Sequence, residues 1–248
     1  MSLIISKNKV DFEALKGIET PKATKSHTPI AHFKLASMAK EAMEKAGLTV
    51  QEEEHSLARG GLRYFGGFAV TGKDVQANDR KMVIGLRNSG DKSFAASICL
   101  GTSMIVCENL CFSSDVKLSR RHTGDIMGDL PRVLADSISR VTVHWSNMST
   151  RIEAYKQTEC EDVEKLAVQM ADCEALPPRD IYNVIEEFRS PRHEEFKGGS
   201  LWSLYNAATE CLKGGALTKL PSRTSMIQSL LDPFASLKKV EGRVVLAG

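Results

Sequence analysis

The spacing of apolar residues changes along the chain, and each spacing predicts a different kind of element. Between residues 29 and 46 apolar side chains recur every three or four positions, which predicts a helix capped by Thr28, with Pro29 first, that ends at Gly47. From residue 50 to 112 the apolar residues are β-branched or aromatic and the interruptions are short, which predicts antiparallel strands. The predicted strands are 50–57, 61–71, 81–88, 94–100 and 104–112, with one break at the sequence GTS.

A long stripe of apolar residues follows the strand region and keeps the period of a helix. Its members are three or four residues apart, which predicts one long helix whose apolar face covers the sheet. An exposed stripe of this kind would also support self-association, so we expect a homo-oligomer. The stripe consists of Leu130, Leu134, Ile138, Val141, Trp145, Met148, Ile152 and Tyr155.

The complete pattern predicts an α+β fold. We expect an N-terminal helix, an antiparallel β meander of about five strands, a long helix packed on the sheet, and a helical C-terminal half. The shorter helices are predicted at 161–175, 180–189, 201–213 and 222–231. We expect tails at 1–27 and 232–248 around one domain at 28–231, with helix and sheet over 28–125 and the helical half over 126–231.

Charge is distributed unevenly along a chain whose net charge is only +2 at pH 7. Residues 80–122 contain seven basic and three acidic side chains, whereas residues 151–200 contain twelve acidic and seven basic ones. This balance predicts a basic sheet region and an acidic helical half, although the net charge alone indicates no nucleic-acid or membrane partner.

The expected compartment follows from the apolar segments and the cysteines. No N-terminal apolar stretch is long enough for a signal peptide, and no window reaches the roughly 20 apolar residues of a membrane span. The six cysteines include no CxxC pair, which favours free thiols in a reducing compartment. We therefore expect a cytoplasmic protein with no membrane partner.

Cys107 and Cys111 are the strongest candidates for a metal or redox pair. On an extended strand, however, four residues span roughly 13 Å, which is too far for a disulfide or for shared metal ligands without a bulge. No zinc-binding spacing is completed with His122. We therefore expect both thiols to pack in the core, and we predict no metal and no cofactor.

Two short segments are candidates for a nucleic-acid-binding site. RNSGDKS, residues 87–93, is typical of a tight turn between strands, and its basic residues could also contact phosphates. KLSRRHTGD, residues 117–125, is either a solvated loop or a basic run that binds a phosphate backbone ahead of the long helix. The predicted binding residues are Arg87, Asn88, Lys92, Lys117, Arg120, Arg121 and His122, with Ser89 as a further donor.

The segment LWSLYNAATECLKG contains an aromatic pair at helical spacing. Trp202 and Tyr205 lie on one predicted face with Thr209, and core packing is the favoured interpretation. A platform on which bases stack is the alternative, and it would require exposed rings.

The sequence contains no motif that indicates catalysis. GxSxG, HExxH, P-loop and GxGxxG patterns are all missing from it, so we predict no catalytic residues and favour a non-enzymatic protein. An enzyme that acts on nucleotides through Asn88, Asp91 and His122 is the alternative.

Several segments together resemble a known family. IGLRNSGDKSFAA, VCENLCFS, RRHTGDI, SPRHEEF and LWSLYNAATECLKG, with TPIAHFKLASMAKEAMEKAGL before them, are similar to the phage- and plasmid-like family called domain of unknown function 932. The resemblance covers about residues 25–231 and implies residence on a phage, prophage or plasmid. The family often has His after the Asn-Ser pair, where this chain has Gly90.

These observations lead to two hypotheses of different classes. The first is a mobile-element protein that binds or anneals single-stranded DNA or RNA on a basic sheet surface, because its predicted outline resembles phage annealing proteins that act in DNA recombination. The second is a non-enzymatic inhibitor of a host defence or restriction protein, because the acidic segment could meet a basic host surface.

Overall fold

The computed structural model describes Leu3 and residues 8–104, 110–124, 126–213, 219–241 and 243–246. Of residues 103, 104, 110–120 and 239, only the backbone is described. The described residues form a mixed α+β structure with helices in the C-terminal half, as the sequence predicts. Among them no helix is long and apolar enough to cross a membrane.

The main sheet is an antiparallel meander. Its six strands are β1 (Lys9–Val10), β2 (Thr49–Ala58), β3 (Arg63–Thr71), β4 (Arg80–Ser89), β5 (Ala96–Met104) and β6 (Leu110–Arg120). Each strand lies beside its neighbour in sequence, and the registers of the first three pairs are antiparallel. The five longer strands confirm the predicted meander, while β1 comes from the segment that was expected to be a tail.

The end of the meander differs from the prediction. Residues 101–103, where a break was predicted, lie inside β5, so the chain turns later than expected. β6 begins at Leu110 and extends to Arg120, so most of the basic run 117–121 is in a strand rather than in a loop. Cys107 lies outside the described residues. Cys111 lies in β6 with only its backbone described, so the packing of both thiols stays a prediction.

Helix α1 (His32–Lys45) contacts β2 and β4 and covers one face of the sheet. It begins at His32, three residues after the predicted first residue Pro29. Thr28 precedes the helix, and its N–H donates to the carbonyl oxygen of His122. The helix ends before Gly47, as predicted, where a φ of 72° suits glycine.

The face of the sheet below α1 is apolar at one end and polar at the other. Directly opposed residues on this face include the buried pairs Phe68–Ile84 and Val70–Met82. Beyond the Gly66–Leu86 pair, the next opposed pair on this face towards the end of β4 is Tyr64–Asn88, which is equally buried but polar. This register therefore places two hydrogen-bonding side chains inside the core, where they need partners.

The long apolar stripe belongs to two helices, α2 (Ile126–Ile138) and α3 (Val141–Gln157), and not to one. All eight stripe residues are buried, so the pattern identified the buried positions but not the interruption. The hydroxyls of Ser137 and Ser139 donate to carbonyl oxygens of the preceding turn, which competes with helix continuation. Helix α2 packs beside α1, which contacts β2 and β4 of the sheet.

The chain divides into two compact units. The sheet unit comprises Met1–Ser103 and Val116–Thr142, and the helical unit comprises Met104–Asp115 and Val143–Gly248. The later elements of the helical unit agree with the predicted helices, apart from a final hairpin in the segment expected to be a tail. They are α4 (Val163–Asp172), α5 (Ile181–Arg189), α6 (Leu201–Cys211), α7 (Leu220–Leu231), β7 (Leu237–Val240) and β8 (Arg243–Leu246). Short 3-10 helices lie at Glu13–Gly17, Pro178–Asp180 and Glu194–Phe196.

Helix α6 lies in the core of the helical unit. Trp202 and Tyr205 are buried and their rings stack at 5.7 Å between centroids, with Thr209 buried one turn later. This confirms the core interpretation of the aromatic pair, because bases can stack only on exposed rings.

A buried ion pair joins α3 to the end of α7. Arg151 is 2% exposed, and its guanidinium donates from Nε and Nη2 to the two carboxylate oxygens of Asp232 at 2.7 and 2.8 Å. Tyr155 donates its hydroxyl to the same carboxylate at 2.7 Å. Burial alone would lower the pKa of Arg151, but the hydrogen bonds and charge of Asp232 raise it above its usual value.

Candidate functional site

The segment RNSGDKS ends β4 and forms the connection to β5, as predicted for a turn tip. Asp91 accepts hydrogen bonds from the backbone N–H and the hydroxyl of Ser93, and it pairs with Arg63 at 2.7 Å. Burial alone would raise the pKa of Asp91, but the hydrogen bonds from Ser93 and Arg63 lower it to about 2. Lys92 has a φ of 65° and an exposed side chain at the tip.

Asn88 is the centre of a buried polar cluster in the sheet unit. It is 0% exposed, and its amide nitrogen donates to the carbonyl oxygen of Ile30 at 2.8 Å and to Nδ1 of His32 at 2.9 Å. Its amide oxygen accepts from Nε2 of His122 at 2.7 Å. One side chain therefore links the start of α1, the end of β4 and the residues after β6.

These bonds define the protonation of two histidines. Since the Asn88 amide nitrogen can only donate, Nδ1 of His32 carries no proton, and its Nε2 donates to the carbonyl oxygen of Gly61 at 2.8 Å. His122 donates from Nε2, so its second nitrogen is unprotonated when the ring is neutral. Burial, followed by the nearby His27 and His32, lowers the pKa of His122 to about 4. Burial also lowers the pKa of His32.

A segment that we call the strap, residues 21–30, covers this cluster. The ring of His27 lies 5.1 Å from that of His122, and the backbone N–H of Thr28 donates to the His122 carbonyl oxygen at 2.9 Å. Pro21 packs against Gly90 so closely that a Cβ at Gly90 would lie 3.0 Å from the proline ring. A side chain at position 90 would therefore require the Pro21 ring to shift by a few tenths of an ångström.

Tyr64 extends the cluster towards β2. Its ring stacks between those of His32 and His55, at 5.4 and 5.9 Å, and its hydroxyl hydrogen-bonds Nδ1 of His55 at 2.9 Å. Burial raises the pKa of Tyr64 and lowers that of His55. Gly66 leaves room for this ring, because a Cβ there would lie 2.1 Å from the tyrosine hydroxyl.

Hydrogen bonds and ring stacking, rather than metal coordination, account for this cluster. Among the described residues no group of three His, Cys, Asp or Glu side chains could hold a metal ion. Cys99, Cys160, Cys173 and Cys211 are free thiols. The cluster fixes backbone segments that are far apart in sequence, and burial lowers the pKa values of His32, His55 and His122.

The predicted binding residues divide into exposed and enclosed groups. Lys92 and Arg121 are exposed, whereas Asn88 and His122 lie inside the cluster, where a phosphate could reach them only if the strap opened. Arg87 is half-buried, donates from Nε to the Ser97 hydroxyl at 3.2 Å, and has its pKa lowered by burial.

The two other predicted binding residues, Lys117 and Arg120, lie in β6. Their backbone is described but their side chains are not, so their contribution to binding stays a prediction.

Two basic residues of the strap are not among the binding residues that the sequence predicts. Lys22 and Lys25 are exposed, and neither forms an ion pair with any carboxylate in the described part of the chain. The two lysines are visible in the sequence ETPKATKSH as basic residues of a polar segment. Nothing in that segment indicates that His27 packs on His122 and places these lysines beside the end of β4.

The fold and the cluster define an α+β protein in which an antiparallel meander, a covering helix and a polar core are joined to a helical unit. The chain belongs to the family described as Domain of unknown function (DUF932), whose model matches residues 24–231. This confirms the resemblance seen in the sequence. No curated protein and no solved structure matches the chain.

Proposed function

We propose that this protein binds single-stranded nucleic acid at the end of the sheet where the strap, the β4–β5 connection and the residues after β6 meet. One observation carries the proposal. The hydrogen bond between His122 and Asn88 holds the basic run that ends at Arg121 against the end of β4. Lys92 follows Asn88 by four residues. Two segments that are about 30 residues apart thus contribute cations to one surface, and phosphate backbones bind such surfaces.

Four exposed side chains of this surface are basic and form no ion pair with a described carboxylate. Lys22, Lys25, Lys92 and Arg121 are all exposed, and none of them pairs with a described carboxylate. Asp91 is the carboxylate nearest in sequence to Lys92, and its charge is already paired with Arg63. Electrostatic attraction of a polyanion is therefore stronger here than the net charge of +2 suggests.

Asn88 and His122 have a different role in this proposal from the one that the sequence predicts. Their side chains are enclosed, so they position Arg121 and the strap and leave phosphate contacts to the exposed cations. Contacts to phosphates carry no sequence information, so we expect binding with little sequence preference.

Reversing two of these charges tests the proposal. The variant Lys92→Glu/Arg121→Glu should bind labelled oligo(dT) or oligo(U) more weakly than the unmodified protein. The slope of log affinity against log salt should become shallower by about 0.7 for each phosphate that the variant no longer neutralises. Fluorescence anisotropy over a series of NaCl concentrations measures both quantities.

A matched control changes the same charge at the opposite end of the sheet. Lys45→Glu/Lys73→Glu alters two exposed lysines near Gly72, which contacts Leu48 at the far end of α1. This control should keep the affinity and the slope. The proposal is wrong if the unmodified protein does not bind at low salt, or if the two double variants weaken binding equally.

A further inference from the structure

The helical unit contains an open groove away from its buried ion pair. The groove has a volume of about 560 Å³ and lies between the end of α4, the turn at Pro177–Pro178 and the start of α7. Ala171, Leu176 and Met226 contribute apolar side chains to it, and Lys219 and Arg223 line it from the first turn of α7.

The apolar surface of the groove continues beyond its lining. Met226 is 41% exposed although it is a large apolar residue, and Val168, one turn before Ala171 on α4, is 45% exposed. Contacts between α4 and α7 bring these two helices together. Val168 and Ala171 share one face of α4 because they are three residues apart, and exposed apolar side chains beside a groove are typical of surfaces that contact a partner.

Two basic side chains, Lys219 and Arg223, lie beside this apolar surface. Neither Lys219 nor Arg223 forms an ion pair with a carboxylate in the described residues, whereas most other basic side chains of the helical unit do. Glu174 is the acidic residue in the lining, and it pairs with neither of them. Basic residues of this unit that do form such pairs are Arg151, Lys156, Arg179, Arg189, Arg192, Lys197 and Lys213.

We propose that this groove docks a short segment of a partner protein in which large apolar side chains lie next to Asp or Glu. The apolar side chains would cover Met226 and Val168, and the carboxylates would pair with Lys219 and Arg223. A nucleic acid fits less well, because the groove lining contains no aromatic side chain on which a base could stack. This site lies in the helical unit and does not depend on the nucleic-acid proposal, which concerns the sheet unit.

A display library of random peptides, selected on the full-length protein, identifies segments that fit the groove. The enriched sequences should combine large apolar residues with neighbouring Asp or Glu. Synthesised and fluorescently labelled, they should bind the unmodified protein and bind Lys219→Glu/Arg223→Glu about tenfold or more weakly. Met226→Asp should weaken binding similarly, because it places a charge in the apolar part of the groove.

The matched control changes two exposed cations of the same unit outside the groove. Lys238→Glu/Arg243→Glu in the β7–β8 hairpin should leave peptide affinity unchanged. All substituted side chains are at least partly exposed, and circular dichroism verifies that each variant is folded.

Four outcomes of the peptide and oligonucleotide experiments would overturn the docking site. They are no enrichment over an unrelated protein, enriched peptides without carboxylates, peptide binding that is insensitive to both groove variants, and oligonucleotide binding that requires Lys219 and Arg223. Self-association that Met226→Asp abolishes would show that a second copy of the chain occupies the groove, and it would also overturn the proposal.

Discussion

Replacement of Arg151 by methionine should destabilise the helical unit by about 3–5 kcal/mol, because it leaves the Asp232 carboxylate buried without a charged partner. The guanidinium is 2% exposed and makes two hydrogen bonds to that carboxylate, so water cannot replace it without a rearrangement. Tyr155 would still donate to Asp232, but a neutral hydroxyl compensates only part of a buried charge.

Removal of both charges should recover much of this stability. In Arg151→Met/Asp232→Leu no buried charge is left unpaired, and buried ion pairs that are replaced by apolar residues often cost little. Urea unfolding followed by tryptophan fluorescence measures the effect, because both tryptophans of the chain, Trp145 and Trp202, lie in the helical unit.

The surface pair Arg189–Glu164 provides the control for this experiment. Its side chains are 63% and 54% exposed, so Arg189→Met should change the free energy of unfolding by about 1 kcal/mol or less. If Arg151→Met costs no more than Arg189→Met, the buried pair does not stabilise the helical unit.

The sequence predicts those parts of the fold that depend on local periodicity. Strands β2 to β4 and helices α4 to α7 lie close to their predicted ranges, because alternation, helical spacing and capping residues such as Ser200 act within a few positions. Periodicity also marks the buried side of the long stripe. It does not reveal the break at residues 139–140, since an apolar stripe continues in register across a short interruption.

The polar core could not be predicted in the same way. Asn88 appears as a turn residue in sequence, and its hydrogen bonds reach Ile30, His32 and His122, which are 58, 56 and 34 positions away. Arg151 likewise finds Asp232 at a separation of 81 residues. The pattern of one sequence contains no information about such distant pairs. It therefore does not distinguish a buried charged or amide side chain from an exposed one.

The same histidine cluster should make the sheet unit sensitive to acid. An unfolded chain protonates a histidine as the pH falls through 6.5, but folded His122, with a pKa of about 4, stays neutral until the pH is much lower. The unfolded state therefore binds more protons in this interval, and stability decreases as the pH falls. His122 alone should cost about 3 kcal/mol between neutral pH and pH 4, and the lowered pKa of His32 acts in the same direction.

The variant His122→Gln isolates this contribution, because its amide can still donate to Asn88 but does not titrate. Between pH 6.5 and 4 the free energy of unfolding of this variant should depend less steeply on pH than that of the unmodified protein. The two slopes should differ by about 1.4 kcal/mol per pH unit. Hydrogen exchange of β3 and β4 amides, corrected for intrinsic rates at each pH, measures the sheet unit. His193→Gln, in the helical unit, should leave that pH dependence unchanged. Equal slopes for His122→Gln and the unmodified protein would mean that His122 is protonated in the folded state, in which case the strap cannot be held over a neutral imidazole.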